Sequence, residues 1–364
     1  MTNNKKKYYN IDNISELNAD YNLIYGERSG GKSWQAKHKK GVKKYLKTGR
    51  RFILLRRWKD EITNEKVRNY FKDVDVDGLT DGKYNYIDCY LKKIYLANID
   101  ENLKVTRGEL IGYSMALSQE QNFAGGVYLD VDDIIFEEFI ARTPYLKNEP
   151  SKLLNLYCTV DRKEGRVKLW LLGNTISKVI PYFEEWGVTQ KIKKQKQGEI
   201  ITTEYDTMLE DGEMVKVKIA CEYCEEVGRS SRTIGKHSSM LNTGAFQTDS
   251  QPHLPKSYKE YKCLFRIMFQ YQSFKFCSEY LKDNSSTDTC WFIYPYEGEI
   301  KDYTLVFSDV IKTSKYWQRD IYNPLIDNRN IIELLQTFKE SNIFYASDSA
   351  GTDFKQVIDF TIRK

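Results

Sequence analysis

The chain has 364 residues, 41% hydrophobic and 29% charged, a balance that excludes a disordered protein and predicts about two domains. Lysine and arginine exceed aspartate and glutamate by 56 to 51, a net charge of +5, so contact with a polyanion must come from local clusters and not from the sum. No apolar run approaches the ~20 residues of a membrane span, and the basic N-terminus MTNNKKKYYNIDN lacks the apolar stretch of a signal peptide, so the reading is a cytosolic protein whose seven cysteines are thiols.

In chain order, YNLIYG (21–26) is a short strand of the buried type. Lys32 to Lys47 reads as a helix with Gly49 at its end, and RFILLRR (51–57) as a second strand. Trp58 to Lys72 looks helical, and KYNYIDCYLKKIYLA (83–97) looks like a hairpin inserted between core elements. ELIGYSMALS (109–118) and VDDIIFEEF (131–139) are further strands, with Asp132 and Asp133 read as a turn leading into the second. Leu153, Leu156, Tyr157 and Val160 recur at spacings of three and four, which makes Lys152 to Arg162 a helix; RVKLWLLGN (166–174) follows as a strand. Such alternation predicts an α/β fold, a mostly parallel sheet with helices on both faces.

From about residue 188 the chain turns polar and turn-rich, with EDGE (210–213) as a hairpin turn, and reads as a small linker module. An aromatic segment, YKCLFRIMFQYQSFKFCSEY (261–280), then opens a second α/β domain that contains the helix NIIELLQTFKES (330–341). The expected division is 1–190, 191–250 and 251–364. Basic clusters at Lys5–Lys7, Lys37 to Arg57 and KIKKQK (191–196) suit a polyanion or, equally, a solvated face. Cys221 and Cys224 form one lone C-x-x-C, too little by itself for a zinc site.

GERSGGKS (26–33) fits G-x-x-x-x-G-K-[ST], with an apolar strand entering it and a helix leaving it. Gly26, Gly30 and Gly31 let backbone N–H groups wrap an anion, and Glu27, Arg28 and Ser29 complete the loop. Lys32 is placed to reach the β- and γ-phosphates of ATP, and the Ser33 hydroxyl to ligate Mg²⁺. IIFEEF supplies the acids such a loop needs: Glu137 for the magnesium shell, one methylene longer than the usual Asp, and Glu138 to polarise the attacking water. No N-K-x-D motif is present, which favours ATP over GTP. Asn174, ending the next strand, stands where a polar sensor would touch the γ-phosphate or the lytic water; a plain strand-end turn is the alternative.

GERSGGKS, FILLRR (52–57), IIFEEF, LLNLYCTVDR (153–162) and LLGNTISKVIPYF (171–183), in that order, resemble the DNA-encapsidation ATPases of phi-29-type tailed bacteriophages over roughly residues 20–185. The resemblance implies a P-loop NTPase domain of the additional-strand catalytic-glutamate (ASCE, RecA-like) type and a C-terminal RNase H/nuclease-like domain. It implies a ring, usually a pentamer, that sits on the portal of a prohead and drives double-stranded DNA inward. The partners implied are DNA, portal or connector, prohead, and a structural prohead RNA; the place is the host cytoplasm, with no membrane. Lys32 and Ser33 would be the Walker A residues, Glu137 and Glu138 the Walker B and catalytic acids, and Arg162 the arginine finger that reaches a neighbour's ATP. Arg56 and Arg57 would face nucleotide or an interface. Ala124, in the loop NFAGG (122–126), stands where such ATPases tend to carry a basic residue, so a trans-acting lysine is missing or displaced. The pore candidates are Lys104, Arg107 and the NFAGG loop.

Nuclease chemistry needs three or four acids around two metals, and residues 261–280 contain no Asp, while Asp288, Asp309, Asp348 and Asp353 are scattered; the expectation is a nuclease-like fold that does not cut. Two other functions fit the loop: a P-loop kinase, which needs an acceptor lid and no paired acids, and a nucleic-acid-binding scaffold with a degenerate ATPase. Phosphate release without a phosphorylated product separates the first from a motor; hydrolysis stimulated by DNA and by neighbours separates the second.

Overall fold

The structure, a computed structural model, describes residues 8–28, 30–141, 145–175, 179–208, 212–225, 250–300, 304–309, 317–321 and 329–361. The chain divides into two compact units, one of residues up to 175 with 190–225, the other of 179–189 with 250–361.

The first unit is a nine-stranded sheet of β1 (Tyr21–Gly26), β2 (Arg51–Arg56), β3 (Tyr86–Tyr90), β4 (Lys93–Ile99), β5 (Val105–Ala116), β6 (Val131–Glu137), β7 (Lys168–Asn174), β8 (Ile200–Met208) and β9 (Met214–Tyr223). Their order is β3-β4-β5-β2-β6-β7-β1-β9-β8. Strands β5, β2, β6, β7, β1 and β9 run parallel, and the hairpins β3–β4 and β8–β9 supply antiparallel edges. β7 lies between the loop strand β1 and the acid strand β6, the inserted strand that the ASCE class is named for. The central strands read as near-continuous apolar runs because both faces are covered.

The helix after β1 runs without a break over residues 32–48, as Lys32–Gln35, a π-helical stretch Ala36–Val42, and Lys43–Thr48; it is called the loop helix below. Gly41 lets it approach the sheet, since a Cβ there would stand 3.3 Å from the Phe52 ring. Gly49, at φ +70°, ends it. On this face Ala36 and Val42 pack with Ile24, Phe52, Ile135 and Trp170. The helix Glu149–Asp161 buries Leu153, Leu156 and Val160. Residues 58–72 are not one helix: Thr63 accepts the Lys66 N–H and starts a separate one, Asn64–Phe71.

The domain limits differ from the expected ones. Strands β8 and β9 are no linker, because β9 pairs with β1 in parallel and buries Ile219, Ala220 and Cys221. The polar edge strand β8 covers that pairing and masks the signal in the sequence. Residues 179–189 belong to the second unit, where Val179 joins the core. Asp132 and Asp133 lie within β6, and Asp133 is buried between Lys44 and the Trp170 indole.

The second unit is a mixed sheet of β10 (Tyr261–Tyr271), β11 (Phe274–Asp283), β12 (Thr289–Pro295), β13 (Leu305–Ser308), β14 (Trp317–Asp320) and β15 (Asn342–Tyr345). The first three form an antiparallel meander; β13 pairs in parallel with β10, and β14 with β13. This is the strand order of an RNase H-like sheet, with β15 added beyond β12. Its core gathers Phe269, Phe276, Trp291, Phe307, Phe354 and Val357. Of the segment KTSKYWQR (312–319), which carries two lysines and an arginine, only Trp317 to Arg319 is among the described residues.

Candidate active site

The phosphate loop leaves the C-terminal end of β1, where backbone N–H groups and a helix start converge. Gly26 is sterically required, because a Cβ there would stand 2.9 Å from the Cys224 Cβ. Gly31 sits at φ +99°, a left-handed turn that starts the helix at Lys32. The Gly30 carbonyl accepts the Tyr9 N–H at 3.0 Å, and the Tyr8 ring stands 3.5 Å from where a Gly31 Cβ would be. Glu27 is buried and Arg28 exposed; Ser29 lies outside the described residues.

Lys32 is buried and donates to the Glu27 carbonyl. Burial lowers its pKa, against the raising effect of Cys224, Glu137 and Glu27. Ser33 Oγ donates to Glu137 Oε2 at 2.8 Å, so the hydroxyl of the loop and the acid ending β6 meet directly. The hydroxyl of Tyr70 donates to Glu137 Oε1 at 2.5 Å. Burial raises the Glu137 carboxyl above its ordinary value, and the Tyr70 and Ser33 hydrogen bonds oppose that. The Tyr70 phenol is held well above its own ordinary value, first by burial and then by Glu137. The donor set is oxygen-only, a serine hydroxyl and a carboxylate. That fits Mg²⁺, which takes one or two carboxylates and completes its shell from phosphates and water. Asn174 ends β7 in register with Gly26, beside the loop.

Glu138 follows β6 at φ +59°, a left-handed backbone that turns its side chain out of the strand into a half-exposed position. Arg56 Nη2 pairs with its carboxylate at 3.1 Å. Arg57 does not face nucleotide or an interface. It is buried, forks onto Glu149 at 2.7 and 2.8 Å, and donates to the carbonyls of Glu138 at 3.0 Å and Phe139 at 2.9 Å. The sequence shows a basic pair at a strand end; only the fold shows that the second arginine clamps the backbone under Glu138.

Arg162 stands apart from this group. It caps the helix Glu149–Asp161 at φ +53°, is exposed, and donates to the Gly126 carbonyl at 3.1 Å, in the loop ahead of β6. Glu138 lies past the opposite end of β6, whose seven residues span roughly 20 Å. A guanidinium cannot cover that distance to its own phosphate loop. Ala124 is exposed in the same loop. A lysine approaches from another element: Lys92, in the β3–β4 turn, stands 5.6 Å over the Phe123 ring and donates to Gln119. Of the pore candidates, Arg107 lies in β5 and is committed to Asp88 at 2.5 Å, and Lys104 is exposed. Tyr70 and Tyr9 went unread in the sequence, since neither belongs to a motif, and Cys224 was read only as half of a lone C-x-x-C and not as a neighbour of the loop.

The family model described as podovirus DNA encapsidation protein (Gp16) matches residues 3–277. The chain is 28% identical over 277 residues to the DNA packaging protein of Bacillus phage phi29, covering 73% of this chain and 74% of that one. It is 32% identical over 182 residues to the DNA packaging protein of Bacillus phage B103, covering 48% of this chain and 50% of that one. Among solved structures it is similar to the bacteriophage Phi-29 viral genome packaging motor assembly, with a TM-score of 0.58 and 22% identity over 98% of this chain and 99% of that one. This last likeness shows the fold.

Proposed function

The chain belongs to the podovirus DNA encapsidation family, and from that premise we propose that it is the Mg²⁺-dependent ATPase subunit that drives double-stranded DNA into a preformed prohead. It works as one member of a ring, a pentamer when assembled, docked on the portal in the host cytoplasm, with the prohead RNA as a further contact. Unit one is the ATPase domain. The observation that carries the reading is the Ser33–Glu137 contact beside a buried Lys32, which joins the two halves of a nucleotide site across strands β1 and β6.

The loop N–H groups and Lys32 hold the triphosphate, and Ser33 and Glu137 hold the magnesium. When bound, that ion neutralises charge developing on the transferred phosphoryl group. Glu138, aimed outward by its left-handed backbone, orients water and takes its proton. Arg56, on the Glu138 carboxylate, holds it in place until water enters. Asn174 contacts the γ-phosphate side. Arg162, too far from its own loop, serves the site of the next subunit.

Unit two does not cut DNA in this reading. Among its described acids, Asp309 accepts the Gln272 N–H at 2.8 Å, and Glu279 is buried with Tyr258, Tyr294 and Arg266. Among the described residues, no three His, Cys, Asp or Glu side chains gather to hold a metal, and no helix is long and apolar enough to cross a membrane.

Phosphate release from ATP by wild type and by Glu138→Gln, with and without Mg²⁺, tests the function. A general base contributes about 10²–10⁴-fold, so the variant should lose at least about a hundredfold while still binding nucleotide. Equal turnover by the variant, or phosphate appearing on an acceptor other than water, sinks the reading.

A further inference from the structure

The loop helix has a second end. Beyond the residues that hold nucleotide, Lys39, Lys40, Lys43, Lys44 and Lys47 face Arg166 and Lys168 across a cleft of about 510 Å³ at the N-terminal ends of β6 and β7. Asp12 and Asp133 are the carboxylates that line it. Four of the seven cations are paired: Lys39 with Asp12, Lys44 with Asp133, Lys168 with Asp20 and Arg166 with Asp132. Lys43 and Lys47 make no ion pair among the described residues and are exposed. Lys40 makes none either; it stands 4.3 Å over the Trp170 ring, whose indole N–H is fixed on Asp133 at 2.7 Å.

We propose that this cleft is a contact site for the phosphodiester backbone of double-stranded DNA, with Lys40, Lys43 and Lys47 as the phosphate-binding cations. The proposal rests on the DNA-packaging reading above. Spacings of three and four put the three lysines on one face of the helix, over a rise of roughly 10 Å. Each DNA strand presents a phosphate about every 3.4 Å, so the stripe matches about three phosphates of one strand. Lysine is a point charge on a flexible stem and reads no base edge, as a contact to any sequence requires. A favourable helix dipole accounts for cations in the last turn, but not for Arg166 and Lys168 facing them or for the tryptophan floor. The same helix starts at the phosphate loop, roughly 22 Å away, so one rigid element touches nucleotide at one end and DNA at the other.

The test is Lys43→Gln/Lys47→Gln in the full chain, against a thirty-base-pair DNA duplex and an RNA duplex of the same sequence, across a range of salt. Both positions are exposed, so the thermal midpoint should match wild type. Loss of two phosphate contacts should lower the slope of log affinity on log salt for DNA by about 2 and weaken binding roughly tenfold. An unchanged slope with wild-type DNA binding intact overturns the cleft and leaves the packaging reading standing. A change confined to the RNA duplex overturns it in favour of an RNA contact. Wild type that binds no duplex DNA at any salt overturns both.

Discussion

Arg57 and Glu149 give the sharpest test of how the fold holds the Glu138 backbone. Both side chains are almost wholly buried, at 4% and 0% exposure, and the fork between them measures 2.7 and 2.8 Å. Glu149→Gln keeps the shape and removes one charge, leaving a buried guanidinium without its counter-ion. Breaking such a pair costs about 3–5 kcal/mol. At about 2–4 °C per kcal/mol for a unit of this size, the thermal midpoint should fall by roughly 6–20 °C. Arg57→Met/Glu149→Leu removes both charges and should regain most of that stability. It should not regain turnover, because the same guanidinium donates to the carbonyls of Glu138 and Phe139, and the left-handed backbone at Glu138 loses its clamp. The assays are thermal unfolding and phosphate release on all three proteins. A double variant as stable and as active as wild type would refute the clamp.

Two further outcomes follow from buried acids. Burial pushes the Glu222 carboxyl up to about 7 from an ordinary 4.5, against a hydrogen bond from the Tyr9 hydroxyl at 2.7 Å. A raised acid stabilises the fold below its unfolded value and loses that contribution as pH rises through its folded value. Wild type should therefore lose about 3 kcal/mol between roughly pH 4.5 and 7 relative to Glu222→Gln, whose curve lacks this component; parallel midpoint-against-pH curves would contradict it. Tyr70→Phe deprives buried Glu137 of a donor, costs about 1–3 kcal/mol, and should move the acidic limb of the turnover-against-pH profile upward; an unmoved limb would show that the phenol does not support the charged form.

The loop after β1, the acids at the end of β6 and the succession of strands along the chain up to β7 were legible because each carries a local signal: glycines where backbone must turn, an apolar run, an acid at its end. β9 was not. Its partner β1 lies nearly two hundred residues away in sequence, and its own alternation, half exposed, resembles any polar hairpin. Arg57 was misread for a related reason. An arginine at a strand end is equally a ligand-facing or a buried residue until Glu149, from a later helix, closes over it. Tyr70 had no signal at all, since one tyrosine in an amphipathic helix says nothing about which acid its hydroxyl meets. The position of Arg162 was read correctly as a helix end, but its distance from Glu138 exists only in the fold.

That distance underlies the central claim, that one subunit completes the site of the next. The direct measurement is phosphate release from ATP, with DNA present and over a range of concentrations, by Glu138→Gln, by Arg162→Ala and by their mixture. Loss of a finger lowers turnover about 10³–10⁵-fold, so each variant alone should be nearly inactive. The mixture should recover activity, because it forms interfaces in which an intact Glu138 meets an intact Arg162. Arg162→Ala turning over like wild type, or a mixture as inactive as its parts although both proteins bind nucleotide and assemble, would contradict a shared site.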